Sequence, residues 1–391
     1  MTEWREVTIE ELAEKIAMGP FGSDIKVETF KPCGVPIISG KHLHETRMRD
    51  KGFNFISEEH ADKLSNANVF RGDVIFTHAG NIGQVSFIPE NSKYERYVIS
   101  QRQFYLRCNS NVLDYEFIAY YFKSPYGQYQ LLANANQTGV PSLAQPVSYL
   151  KSIKVLLPPL TEQKAIAEVL SSLDDKIDLL TRQNKTLEDL AQAYFRKWFI
   201  EDASDEWEVG KLGDEFNITM GQSPKGETYN DLKIGLPFFQ GKAEFGFRFP
   251  LEKQYCSEPI KIADKFDTLL SVRAPVGALN MALYKCCIGR GLAIPIHKKG
   301  YKHYTFYKMK SLQELFNTFD DDGTVFGSIS REKFLSIDNV IPPEKLVCYF
   351  DNFAKYFDLK IYENTVQIRT LSKLRDTLLP KLISGEVRVN I

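Results

Sequence analysis

"LPPLTEQKAIAEVLSSL" (Leu157–Leu173) sets two prolines against the start of a helical pattern. Proline fixes φ and lacks an N–H, so Pro158 and Pro159 end the preceding element and suit only the first turn of the next one. From there a seam runs Ile166, Leu170, Leu173, Ile177, Leu180, Asn184, Leu187, Ala191, Tyr194, Trp198. Its gaps alternate between four and three, the heptad spacing of a coiled coil. A weaker copy, "IPPEKLVCYFDNFAKYF", begins at Ile341, with the seam Phe350, Ala354, Phe357, Ile361, Asn364, Ile368, Leu371, Arg375, Leu378. At about 1.5 Å per residue, Thr161–Phe199 extends roughly 58 Å, and a helix of that length with one apolar stripe must pair. Setting the helices antiparallel with Asn184 opposite Asn364 brings every seam position against another. Tyr194 then meets Ala354, Ala191 meets Phe357, Leu180 meets Ile368, Ile177 meets Leu371 and Ile166 meets Leu382. Only Arg375 against Leu173 is a poor match. A buried Asn pair holds register and orientation at some expense in stability.

The same punctuation occurs twice because the whole chain repeats. "EWREV" (Glu3–Val7) and "EWEVG" (Glu206–Gly210) open the two halves. "MGPFGSDIK" from Met18 is matched by "MGQSPKGET" from Met220, and "GVPIISGKH" from Gly34 by "GLPFFQGKA" from Gly235. "RGDVIFTHAGNIGQV" from Arg71 aligns with "KFDTLLSVRAPVGAL" from Lys265, and "ISQRQF" from Ile99 with "IGRGLA" from Ile288. "TGVPSLAQPVSYLKSIKVLLPP" from Thr138 faces "GTVFGSISREKFLSIDNVIPP" from Gly323. Each repeat is a mixed globular part followed by a long helix. Val35–Ile38, Asp73–Thr77, Val98–Ile99 and Gln103–Leu106 read as strands, Tyr115–Lys123 and Thr305–Phe316 as helices, and Gly80, Gly83, Gly277 and Gly289–Gly291 as tight turns. The expected class is α+β: two mixed α/β domains in tandem, separated by two helices that form an antiparallel intramolecular coiled coil with pseudo-twofold symmetry. The boundaries fall at 1–157, 158–200, 201–341 and 342–391.

Composition limits the function. Hydrophobic content of 43% and charge of 25% over 391 residues are ordinary for a soluble globular protein. No apolar run nears the roughly 18 residues that span a bilayer. The acidic, amphipathic Met1–Glu14 is no secretory signal. The six cysteines show no C-x-x-C spacing, which disfavours a zinc site or disulfide framework and suits a reducing cytoplasm. The net charge of −1 does not advertise nucleic-acid binding, yet binding needs only a local basic face. Thr268–Gln313 holds no Asp or Glu while Arg273, Lys285, Arg290, Lys298, Lys299, Lys302, Lys308 and Lys310 accumulate. Phe117–Thr161 also lacks acids, with only Lys123, Lys151 and Lys154.

"LPPLTEQKAIAEVLSSLDDKID", "RGDVIFTHAGNIGQV" and the terminal "LLPKLISGEVRV" together resemble the specificity subunit of type I restriction-modification systems, over the whole chain. The echo departs from that pattern, with "IPPEKLVCY" where a Glu-Gln-x-x-Ile run is usual. The resemblance implies two target-recognition domains, each reading one half of a bipartite site on double-stranded DNA. It also implies that the helices separate the domains and dock methyltransferase subunits. Those subunits would carry S-adenosylmethionine, and a motor-nuclease subunit would use ATP and Mg. The chain itself would be a non-catalytic cytoplasmic subunit with no cofactor, metal or membrane of its own.

The residues agree with that division of labour. There is no G-x-x-x-x-G-K-[ST] loop, and both Pro-Pro pairs follow aliphatic residues, unlike the Asn/Asp-Pro-Pro-aromatic motif of amino-methyltransferases. Glu162-Gln163-Lys164 has a nuclease-like spacing but sits in a first helical turn, where Thr161 suits an N-cap and Glu162 the positive helix end. His42 and His44 lack a third metal ligand at suitable spacing. Base reading needs Arg or Lys for guanine and Asn or Gln for adenine. In the first domain the candidates are Lys41, the turn Thr77, His78 and Asn81, the cluster Gln101, Arg102 and Gln103, and the loop Asn136, Gln137 and Thr138. Lys242, Arg273, Arg290 and Thr324 hold the matching places in the second. Asn184 and Asn364 are the candidate register residues. Two other readings stay open: a coiled-coil adaptor that binds no DNA, and a stand-alone nucleic-acid enzyme.

Overall fold

The computed structural model describes residues 4–22, 24–136, 139–319 and 327–389. The chain forms two compact units, one of Met1–Ile177 with Thr370–Ile391, the other of Asp178–Arg369.

In the first unit, strand Arg5–Thr8 pairs antiparallel with Lys154–Leu157, so the two ends of the globular part are tied together immediately before Pro158. Two four-stranded sheets lie between. One runs Ala13–Met18, Gln103–Cys108, Val74–Thr77, Val85–Phe87. The other runs Asn54–Ile56, Val35–Ile38, Arg96–Ile99, Asn68–Phe70, and its central pair is parallel. Val74–Thr77 is buried at every position, as an apolar run in a doubly covered strand should be. Helix Tyr115–Lys123 is capped by the Asp114 carboxylate, which accepts from Phe117 N, and it buries Phe117, Ile118 and Phe122 against Phe76, Phe104 and Leu106.

The second unit repeats the plan. Glu208–Lys211 pairs with Asp338–Ile341, again just before a Pro-Pro pair. One sheet orders Phe216–Met220, Leu292–His297, Thr268–Ser271, Leu279–Met281, and the other carries the parallel pair Leu236–Phe239 with Cys286–Ile288. The helix expected over Thr305–Phe316 is two helices, Lys302–Ser311 and Gln313–Thr318, with Leu312 leaving helical geometry between them.

Two long helices, Leu160–Arg196 and Glu344–Ser384, each contribute to both units. Within the second unit Asn364 donates to Asn184 Oδ1 at 3.0 Å, both side chains buried. Further along, the Tyr194 ring lies 4.9 Å from Phe353 and Trp198 lies 5.6 Å from Phe350, so the helices run antiparallel. Within the first unit Ile166, Leu170, Leu382 and Ile383 share the core, and the contacts Asp174–Arg375 and Glu162–Arg388 show that the direction is again antiparallel. Arg375 is not the misfit that the heptads imply. Its guanidinium turns out of the seam to Asp174 at 2.6 Å, and Tyr120 donates to the same carboxylate at 2.8 Å.

The first turn of the central helix also differs from expectation. It starts at Leu160, one residue before the expected Thr161 cap, and Pro159 O accepts from both Glu162 N and Gln163 N. Glu162 does more than face a helix dipole: it is buried, accepting from Trp4 Nε1 at 3.1 Å and from the Arg388 guanidinium. Gln163 accepts from Asp114 N at 2.8 Å and donates to Pro158 O and Val112 O. Counting from the prolines, Gln163 corresponds to Val347 in the echo, which is buried among apolar side chains and makes no such lock.

Candidate nucleic-acid interface

The first unit's candidate residues gather where several chain reversals meet. Strand Val35–Ile38 ends in the turn Gly40–His42, strand Val74–Thr77 runs into the reversal around Gly80 and Gly83, and Arg96–Ile99 passes through Ser100–Arg102 into Gln103–Cys108. Gly80 and Gly83 both take positive φ, the conformation that only glycine adopts without strain. The turns are stitched together by the backbone. His78 N donates to Arg102 O at 2.9 Å, Leu143 N to His78 O at 2.8 Å, and Gly80 N to Pro141 O at 2.9 Å.

The candidates then divide by burial. Lys41, Asn81, Gln101, Arg102 and Asn136 present their side chains at the surface, and His78 is half-buried. Thr77 and Gln103 are not presented at all, being 2% and 1% exposed. Gln103 bonds to Ser100 Oγ and, at 3.4 Å, to Thr77 Oγ1, while Thr77 donates to Gln84 Oε1 at 3.1 Å. Gln84 in turn donates to Gly40 O at 3.0 Å. These groups satisfy one another and hold together the turns that carry Lys41, Gln101 and Arg102. Gln84 escaped sequence reading because nothing distinguishes a framework glutamine from a reading one until burial is known. Gln137 and Thr138 lie outside the described residues.

His78 donates through Nε2 to Gln101 O at 3.0 Å, and burial holds its imidazole below the usual pKa, so at neutral pH it is an uncharged polar group. His42 is likewise lowered by burial, and its Nδ1 accepts from Ser39 N at 2.9 Å. Among the described residues no cluster of three or more His, Cys, Asp or Glu side chains is placed to hold a metal ion. Nor is any of their helices long and apolar enough to cross a membrane.

The second unit builds the same set of turns with other side chains. Lys242, Arg273 and Arg290 are all exposed, and Thr324 lies outside the described residues. Gly289 N donates to Phe239 O, Gly291 N to Gln240 O, and Val272 N to Gly291 O, which ties the turn of Arg290 to that of Arg273. An antiparallel bridge joins Arg273 to Ser328, as one joins Ala79 to Ser142 in the first unit. The repeated Met-Gly has a cause visible only here. A Cβ on Gly19 would sit 2.2 Å from Ser100 O, and one on Gly221 would sit 2.1 Å from Gly289 O. Both glycines let the N-terminal loop press against the turn that carries the exposed polar residues.

Residues 1–189 match the family model described as the type I restriction modification DNA specificity domain. Relatives extend the likeness across the chain. The Methanocaldococcus jannaschii type I restriction enzyme MjaIX specificity subunit is 27% identical over 427 residues, covering 99% of this chain and 94% of that one. The HindI specificity subunit of Haemophilus influenzae is 19% identical, covering 81% and 87%. Among solved structures, the type I restriction-modification system S subunit from M. genitalium is 20% identical and superposes with a TM-score of 0.65 over 99% of this chain and 96% of that one, which shows a common fold. Residues 1–189 thus match the type I restriction modification DNA specificity domain, and along its full length the chain is similar in sequence to type I restriction enzyme specificity subunits and shares the fold of one S subunit.

Proposed function

We propose that residues 1–157 and 201–341 are target-recognition domains, each reading one half of a bipartite site on double-stranded DNA. The observation that carries this reading is the repetition of one frame with different letters. Asn81, Gln101 and Arg102 crown the turns of one unit and Arg273 and Arg290 those of the other, while Lys41 and Lys242 keep the same residue at matching places. A duplicated framework with exchanged polar tips is what two different half-sites require, because phosphate contacts only position the protein and base edges specify the sequence. Helical segments 158–200 and 342–391 then set the gap between half-sites and dock methyltransferase subunits. Glu162 and Gln163 are engaged inside the first unit, so docking falls to the outward positions of the helices. On this reading the bond chemistry resides with cytoplasmic partners: S-adenosylmethionine on the methyltransferase subunits, ATP and Mg on a motor-nuclease subunit. Co-expression with a methyltransferase subunit, followed by methylome sequencing, tests it. One bipartite methylated motif is expected. Methylation at a single continuous motif would reject the bipartite reading, and no motif at all would favour a coiled-coil adaptor.

A further inference from the structure

We propose that Phe21 is a wedge that enters the DNA stack beside the half-site read by the first domain; this rests on the reading above. Phe21 is 88% exposed, the most exposed of the large apolar side chains described. It has no aromatic or cation–π partner among the described residues, although Phe30 and Ile25 of the same segment pack on the neighbouring core. The described residues beside it are anchored at three points. Gly19 N donates to Gln103 O at 2.9 Å, Asp24 N donates to Phe21 O at 3.0 Å, and a Cβ on Gly22 would sit 2.7 Å from Gln101 Oε1. The ring is therefore held out from a braced turn that touches the turn of Gln101 and Arg102. Phe21, Lys63, His78, Gln101 and Arg102 line one cleft of about 830 Å³, with Asp24 the single acid among its described lining residues. An apolar wedge flanked by basic and amide groups fits a base step, since inserted aromatic or aliphatic side chains partly unstack and kink a duplex.

The second unit shows what the position does when no wedge is built. Counting from the two Met-Gly pairs, Phe21 corresponds to Ser223. Ser223 turns inward, donating to Gln240 Oε1 at 3.0 Å and accepting from Arg290 N at 3.3 Å. The unstacking is thus expected at one half-site only.

The full chain, co-purified with a methyltransferase subunit, is bound to duplexes carrying 2-aminopurine one position at a time across both half-sites and their flanks. The half-site of the first domain is assigned by the motif that changes when Trp4–Lys154 is exchanged. Wild type should show a fluorescence rise at one step bordering that half-site, lowered severalfold by Phe21→Ala, retained by Phe21→Trp, and accompanied by an unchanged methylated motif. A methyltransferase that extrudes its target adenine gives a second rise at that base, which the substitution should leave alone and which reports that the complex is intact. A border signal equal in Phe21→Ala, or absent in wild type with the bipartite motif intact, overturns the wedge alone. Absence of any bipartite motif overturns the functional reading and the wedge with it.

Discussion

Gln101 and Gln103 stand two positions apart on one turn and meet opposite environments, because the chain reverses between them and carries Gln103 into a covered strand. Gln101 is exposed, while Gln103 is consumed by Ser100 and Thr77. If the exposed turns read bases, Gln101→Ala should relax discrimination at one position of one half-site. The loss is about 1–3 kcal/mol, roughly fivefold to 150-fold in relative affinity, and it is measured by competition with singly altered duplexes. Arg290→Ala should do the same at the other half-site and leave the first unchanged. A different residue supplies a pH response. Burial raises the Glu116 carboxyl to about 7 from 4.5, against the smaller opposing pull of Arg47. The folded chain therefore holds a proton that the unfolded chain has lost between those values, and stability falls as pH rises through that window. Glu116→Gln removes the group. Its urea midpoint relative to wild type should climb between pH 4.5 and about pH 7 and then level off, and a constant difference would contradict the shift. Which polar residues exist was legible in the sequence; which of them face solvent was not, since a turn's own residues do not say which side of it another segment will cover.

Among the elements, the long helices were the most legible, because a heptad repeat needs only their own residues to declare it. Their polar positions were less so. Asn184 and Asn364 bond each other, so Asn184→Leu or Asn364→Leu alone strands a buried amide and should lower stability by about 1–3 kcal/mol. Replacing both should be neutral or stabilising while loosening register, read by disulfide crosslinks between the helices. Crosslinks confined to one register in the double variant would deny the pair that role. The buried carboxylates were invisible beforehand. Asp358 on the C-terminal helix accepts from Arg248 at 2.9 Å and from Tyr307 at 3.1 Å, and its Oδ2 lies 2.7 Å from His303 Nδ1. Arg248 is 1% exposed and also stacks over the Phe306 ring at 4.0 Å. Asp358→Ala should cost about 3–5 kcal/mol in chemical denaturation, since it leaves a buried guanidinium short of its counter-charge. Asp174 is its repeat counterpart and meets Tyr120 and Arg375 in the same manner, with the arginine supplied by a helix rather than a loop.

For the whole molecule, the proposed ruler makes a prediction about length. A heptad inserted into both helices adds about 10 Å while keeping the seam in register, which should lengthen the preferred gap by about three base pairs and leave both half-sites unchanged. The methylated motif of the insertion variant reads this directly, and an unaltered gap would reject the ruler. The duplication, the two helices, their heptad phase and the alternation of strand and turn were determined by the sequence alone. Repetition, proline punctuation and apolar period are local properties, and each residue carries its share whatever the rest of the chain does. Tertiary structure alone decided that Thr77 and Gln103 brace turns rather than face a ligand, that Arg375 leaves its seam for Asp174, and that Phe21 stands exposed on a braced loop where Ser223 folds in. Burial, pairing and exposure are set by which distant segments arrive at the same place, and no spacing within one segment encodes what that neighbour will be.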